Sequence, residues 1–105
     1  KPNVAVLNAT DGQIFKAGEP IHLEGFADAW DEPIVKLEYT FDHGATWQEF
    51  EIGEYDTVRW VYWNLDINNI TAPGSYLMRI RATSEKADGT LRVNDELTSF
   101  MFNVQ

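Results

Sequence analysis

Between Ile21 and Asp28 the chain alternates strictly. Ile21, Leu23, Gly25 and Ala27 are apolar or small, and His22, Glu24, Phe26 and Asp28 fall between them. A period of two places successive side chains on opposite faces of an extended backbone, which describes a strand with one buried face. The pattern recurs. Val35, Leu37, Tyr39 and Phe41 alternate with Lys36, Glu38 and Thr40. Tyr76, Met78, Ile80 and Ala82 alternate with Leu77, Arg79, Arg81 and Thr83. Thr98, Phe100, Phe102 and Val104 alternate with Ser99, Met101 and Asn103. No segment sustains a helical period, so the chain reads as all-β.

Turn residues divide these runs. Asp11-Gly12, Ala17-Gly18-Glu19-Pro20, Ala72-Pro73-Gly74 and Asp88-Gly89 mark chain reversals. Val4 to Asn8 reads as a first strand, and Gln13 to Phe15 as its continuation on the other sheet. Asp42-His43-Gly44-Ala45-Thr46 forms a tight loop into Trp47, with Gly44 supplying positive φ. Val58 to Ile67 reads as a long strand, and Ser84 to Glu96 as one long connection turning at Asp88-Gly89. The segment Pro73-Gly74-Ser75-Tyr76 has the form of a tyrosine corner, its ring in the core and its hydroxyl on nearby backbone. About seven strands in about 100 residues describe an immunoglobulin-like β-sandwich of E-set type with antiparallel strands, as one domain over residues 1–105. The start at Lys1-Pro2-Asn3, almost inside the first strand, is read as an excision from a longer protein.

The 105 residues are 44% hydrophobic and include four Trp, four Tyr and six Phe. Large rings bury much area per residue and support the core of so small a domain. The net charge of −9 argues against nucleic acid and anionic membrane surfaces as partners. No apolar run approaches the roughly 20 residues of a membrane span, and no signal-peptide pattern opens the chain.

Little in the chain carries catalysis. It contains no Cys, so neither a disulfide nor a thiolate metal site can form. His22 lies on a strand and His43 in a hairpin, without a second His at metal-ligand spacing and without a triad setting. The glycines are scattered singly, mostly at turns, and form no phosphate loop. Asp28, Asp31 and Glu32 fall at the same end of a sandwich as Glu85, Asp88, Asp95 and Glu96. Such a cluster could hold calcium, but a solvated acidic rim is the simpler reading. No catalytic, cofactor-binding or metal-binding residue is assigned.

The aromatic residues say more. The strand around Trp60 carries large side chains on both faces, with Trp60 and Tyr62 opposed to Trp63. One interior cannot take both sets. Phe26 and Met101 fall on outward faces, and Trp30 sits in a loop. Phe26, Trp30, Trp60, Tyr62 and Met101 are therefore the candidate partner surface. On the polar faces, Glu38 is expected to pair with Arg79 or Arg81.

Several stretches together resemble a known family. Ile21-His22-Leu23-Glu24-Gly25-Phe26-Ala27, and Ile34 through the hairpin to Thr46-Trp47, are similar to the C-terminal immunoglobulin-like domain of the sulfite oxidase family. So are Trp60 to Trp63, Pro73-Gly74-Ser75-Tyr76 and Arg81-Ala82-Thr83. His43 stands where the family hairpin more usually has Gly, and the Ser84–Glu96 connection differs from the family ending. The resemblance implies a non-catalytic assembly or dimerisation domain of a molybdopterin-dependent oxidoreductase, outside the cytoplasm of a bacterium. The molybdenum cofactor would then lie in a preceding domain. The partners implied are that catalytic domain and a second copy of this chain. The alternatives are an accessory binding module, for example for carbohydrate through Trp30 or Trp60, and a spacer in an extracellular multidomain protein.

Overall fold

The computed structural model describes residues 3–29, 32–53, 60–93 and 98–105, and for Asn3 and Trp60 the backbone only. The described residues form nine strands. These are β1 (Asn3–Val6), β2 (Gln13–Phe15), β3 (Ile21–Asp28), β4 (Ile34–Thr40), β5 (Gln48–Phe50), β6 (Trp60–Ile67), β7 (Gly74–Glu85), β8 (Leu91–Val93) and β9 (Thr98–Val104). One sheet runs β1-β3-β6. The other runs β2-β9-β7-β4-β5, with β8 also on β7.

One expected strand is interrupted and one expected connection contains a strand, which reconciles nine strands with seven. The first crosses from the small sheet to the large one between β1 and β2, as its sequence suggests. Beyond β1, Leu7 still donates its N–H to Glu24 at 2.8 Å. The Asn8 side chain then takes over the ladder, donating to the His22 carbonyl at 2.9 Å and accepting from the Glu24 N–H at 2.8 Å. Asp11 accepts from the Met101 N–H at 3.0 Å and starts the chain along β9. Because β2 joins β9 running the same way, this one pairing is parallel, against the all-antiparallel expectation.

The additional strand lies near the end of the chain. Ser84 to Glu96 is not one long connection. β7 extends to Glu85, turns at Gly89 with φ 87°, and returns as β8, pairing Thr83 with Val93 and Glu85 with Leu91. Asp88 holds the turn by accepting from the Thr90 N–H and hydroxyl. Asp88-Gly89 is thus the tip of a hairpin.

The alternating residues meet between the sheets as expected. Ile21, Leu23, Ala27, Val61, Trp63, Leu65 and Ile67 face Leu37, Met78, Ile80, Ala82, Phe100, Phe102 and Val104, all buried. Trp63 sits at the centre, edge-on to Phe50 with centroids 5.4 Å apart. Burying each such side chain stabilises the fold by about 1.5–3 kcal/mol. Tyr76 stacks on Phe102 and donates its hydroxyl to the Ala72 carbonyl at 2.6 Å, the expected corner.

β4 departs from its expected phase. Its register against β7 shifts between Ile34 and Lys36, so Val35 is extra and turns outward at 39% exposure while Ile34 is fully buried. A bulge puts two residues opposite one and reverses facing on one side of it. Thr40, expected on the polar face, is buried because the hairpin folds over it. Its hydroxyl donates to Asp42 and accepts from the Gly44 N–H. Both His43 (φ 59°) and Gly44 (φ 88°) adopt left-handed backbone there, where one such residue was expected.

Candidate functional site

The candidate surface residues divide between opposite sides of the sandwich. Phe26 on β3 lies directly across from Tyr62 on β6, so the two rings share the outer face of the three-stranded sheet. Directly opposed residues bring their Cβ atoms to about 5 Å. Tyr62 is 44% exposed and Leu7 is 59% exposed. Between Leu7 and Tyr62 lies a shallow depression of about 230 Å³, with Glu24 and Asn64 at its polar side. Trp60 enters this sheet opposite Asp28, with its side chain outside the described residues. Trp30 is outside the described residues altogether.

Met101 belongs elsewhere. It lies on β9, outward on the larger sheet, paired with Leu77, and 43% of it is exposed. Ile14 on β2, next to Asn103, shares this face. The sheets pack back to back, so outward residues of one cannot touch the same flat partner as outward residues of the other. Of the candidate residues whose side chains are described, Phe26 and Tyr62 share one face and Met101 lies on the other. The Phe26–Tyr62 face, extended by Leu7, is the candidate site. Leu7 lies within the expected Val4–Asn8 strand, on the face opposite Val4 and Val6, but only the sheet order shows that it neighbours Tyr62.

Polar residues surround the aromatic pair. Further along the same face, His22 Nδ1 lies 2.7 Å from Asp66, and His22 Nε2 lies 3.6 Å from Glu24. The Asp66 hydrogen bond raises the His22 pKa. A His–Asp pair orients a general base, yet the other nitrogen here meets a second carboxylate instead of a hydroxyl. The chemistry on offer is a polar rim, one imidazole between two carboxylates.

On the larger sheet, Arg81 donates through Nε to Glu38 at 2.9 Å, directly across β4 and β7, and its guanidinium lies 3.9 Å over the Trp47 ring. The expected pair forms, and Trp47 covers it. At the far end, Glu32 accepts from Arg92 at 3.1 Å and from Ser84 at 3.2 Å. The two acidic loops do meet at one end, but Glu32 is committed to a cation and Asp88 to its own turn. Asp31, Asp95 and Glu96 lie outside the described residues. Among the described residues no three His, Asp or Glu side chains converge to hold a metal, and no helix is long and apolar enough to cross a membrane.

A second concave feature lies between the sheets at the end opposite Glu32. The larger sheet continues through β4 to β5, past β6, the edge of the smaller one. The inner-face rings of Tyr39 and Phe41 are only partly covered there. With Tyr76, Gln48 and the segment Asn68–Asn69 they line an open cleft of about 510 Å³. The alternation alone reads Tyr39 and Phe41 as interior.

No protein-family model matches the chain, and no curated protein matches it in sequence. Solved structures do match its fold. The fibronectin(III)-like modules of Clostridium thermocellum CbhA align with a TM-score of 0.55 at 20% identity, over 98% of this chain and 46% of that one. Murine CRIg aligns with a TM-score of 0.57 at 10% identity, over 100% of this chain and 97% of that one. The chain spans about half the length of the first of these. Neither bears on the sulfite oxidase resemblance. At such identities the likeness concerns the fold alone: the chain is an all-β sandwich of the immunoglobulin and fibronectin type.

Proposed function

We propose that this chain is a non-catalytic assembly module that docks against a neighbouring domain of the same polypeptide through the Phe26–Tyr62 face. The observation that carries this reading is the cross-strand pairing of two aromatic rings on the outside of a sheet. With Leu7 and the depression beside Tyr62, the pair forms an apolar centre with a polar rim of Glu24 and Asn64. That is the composition of an interface core. An aromatic anchor of this kind gains by leaving water.

The finer form of the proposal rests on sequence motifs: the hairpin ending in Trp47, Trp60 to Trp63, and Pro73-Gly74-Ser75-Tyr76. They favour the C-terminal domain of a sulfite-oxidase-type oxidoreductase as its setting. In that setting molybdopterin and its thiolate ligand belong to the preceding domain, since this chain has no Cys to offer. The partners are then that catalytic domain and a second copy of this chain.

The test compares amide hydrogen exchange of this chain alone with that of the longer protein containing it. Docking predicts added protection on the outward side of β3 and β6, lost in a Phe26→Ser/Tyr62→Ser variant. Equal exchange of both strands in the two contexts would sink the proposal. A molybdenum content of zero in the purified longer protein would sink its finer form.

A further inference from the structure

We infer that the open cleft between β5 and the segment after β6 is a binding site for a neutral, polyhydroxylated ligand, a glycan. Its volume of about 510 Å³ falls within the roughly 300–1,000 Å³ of small-molecule sites. It exists because the two sheets differ in width. β4 and β5 carry the larger sheet beyond β6, so among the described residues the inward-facing rings of Tyr39 and Phe41 meet only the end of β6, at Asp66 and Ile67, and the segment after it.

The lining combines two kinds of group. Tyr39, Phe41 and Tyr76 supply rings that hold one another edge to face, with Phe41 between the two tyrosines at centroid distances of 5.7 and 6.2 Å. Tyr76 has one face fixed on Phe102, at an interplanar angle of 13°. A ring fixed on one face and lining a cleft needs no reordering to receive the apolar face of a sugar. The second kind is the side-chain amide. Tyr39 donates its hydroxyl to Gln48 Oε1 at 2.7 Å, which orients that amide, and among the described residues its NH₂ has no acceptor. Asn68 and Asn69 are exposed beside it. Among the described residues neither makes a side-chain hydrogen bond. Amides donate and accept at once, so they suit hydroxyl groups, which do the same.

Charge selects against the other candidates. Asp66 is the ionisable acid of the lining, and the chain carries a net charge of −9. Among the described residues no Lys, Arg or His lines the cleft, so nothing in the lining offers a counter-charge to a phosphate, sulfate or carboxylate. The alternating pattern of an apolar ring face and amides, without a cation, fits an uncharged sugar. The cleft reaches the outer face of β6 only at Asp66, and its rings, Tyr39, Phe41 and Tyr76, are distinct from the Phe26–Tyr62 pair.

The test is a titration of the isotopically labelled 105-residue chain, followed by amide shifts. The probes are neutral oligosaccharides of glucose, galactose, mannose and N-acetylglucosamine, with sialylated and uronic-acid oligosaccharides as charged counterparts. At least one neutral probe should give saturable shifts centred on Gln48 and Asn68–Ile70. An Asn68→Ala/Asn69→Ala variant, altered only at exposed positions, should bind more weakly by roughly fivefold for each hydrogen bond lost. A Tyr62→Ser variant should bind as the parent does. Absence of saturable shifts with every neutral probe, shifts centred elsewhere, or preference for the acidic probes would each overturn the inference.

Discussion

Gly25 and Trp63 face one another across β3 and β6, and the indole occupies the space a side chain at Gly25 would need. A Cβ there would fall into the Trp63 ring and onto the Ala5 carbonyl of β1. Trp63 is 1% exposed, so neither ring nor strand can withdraw. Gly25→Ala should therefore destabilise the fold by about 3 kcal/mol, the upper part of the range for overpacked cores. Urea unfolding should show a lower midpoint with an unchanged m value.

His22 reads its neighbours through its titration. Asp66, and more weakly Glu24, raise its pKa above the ordinary 6.5. Because the folded value exceeds the unfolded one, the contribution to stability is complete below pH 6.5. It is lost as pH rises through the folded value. Asp66→Asn should lower the midpoint of the His22 ring resonances followed by NMR. An unmoved midpoint would mean that the pairing does not persist in solution.

Asp42 gives the opposite dependence. The hydroxyls of Thr40 and Thr46, with the Thr46 N–H, hold its carboxyl down at about 2 against an ordinary 3.8. A depressed folded value means that stability is present above pH 3.8 and lost as pH falls toward 2. Asp42→Ala should flatten the acid limb of the melting-temperature profile over that window. It should also free the hairpin, seen as faster exchange of the Thr46 amide.

Glu38 and Arg81 form a directly opposed pair whose side chains are 13% and 27% exposed. A double-mutant cycle of Glu38→Ala and Arg81→Ala should give a coupling of about 0.5–1 kcal/mol. Removing the covering ring with Trp47→Ala should reduce that coupling and make it more sensitive to salt, since the pair would then face water.

Tyr76→Phe should cost about 1 kcal/mol, the net worth of the hydrogen bond to Ala72. The ring itself stays on Phe102. Thermal unfolding measures the cost, and a cost near zero would leave the corner without an energetic role.

Periodicity exposed the strands and most of the core. Ile21, Leu23 and Ala27 are buried where alternation puts them, as are Val61, Trp63 and Leu65. It misread β4 because a single extra residue, Val35, reverses facing, and nothing in Ile34-Val35-Lys36 marks a bulge. It took Gly25 for one more scattered glycine, since the residue it accommodates lies 38 positions away on β6. The Ser84–Glu96 segment was legible as a turn but not as a hairpin, because the returning strand Leu91–Val93 is only three residues long, too short for alternation to mark it.

The sequence by itself determined the class of the fold and, outside β4, which residues of a strand lie on opposite faces. Alternation is a local property of the backbone, and it survives whatever the chain packs against. Only the tertiary structure decided which outward residues share a face. Phe26 and Tyr62 are neighbours and Met101 is not, because facing is set within one strand while adjacency depends on sheet order. The cleft at Tyr39 and Phe41 likewise follows from the unequal width of the two sheets, which no single strand records.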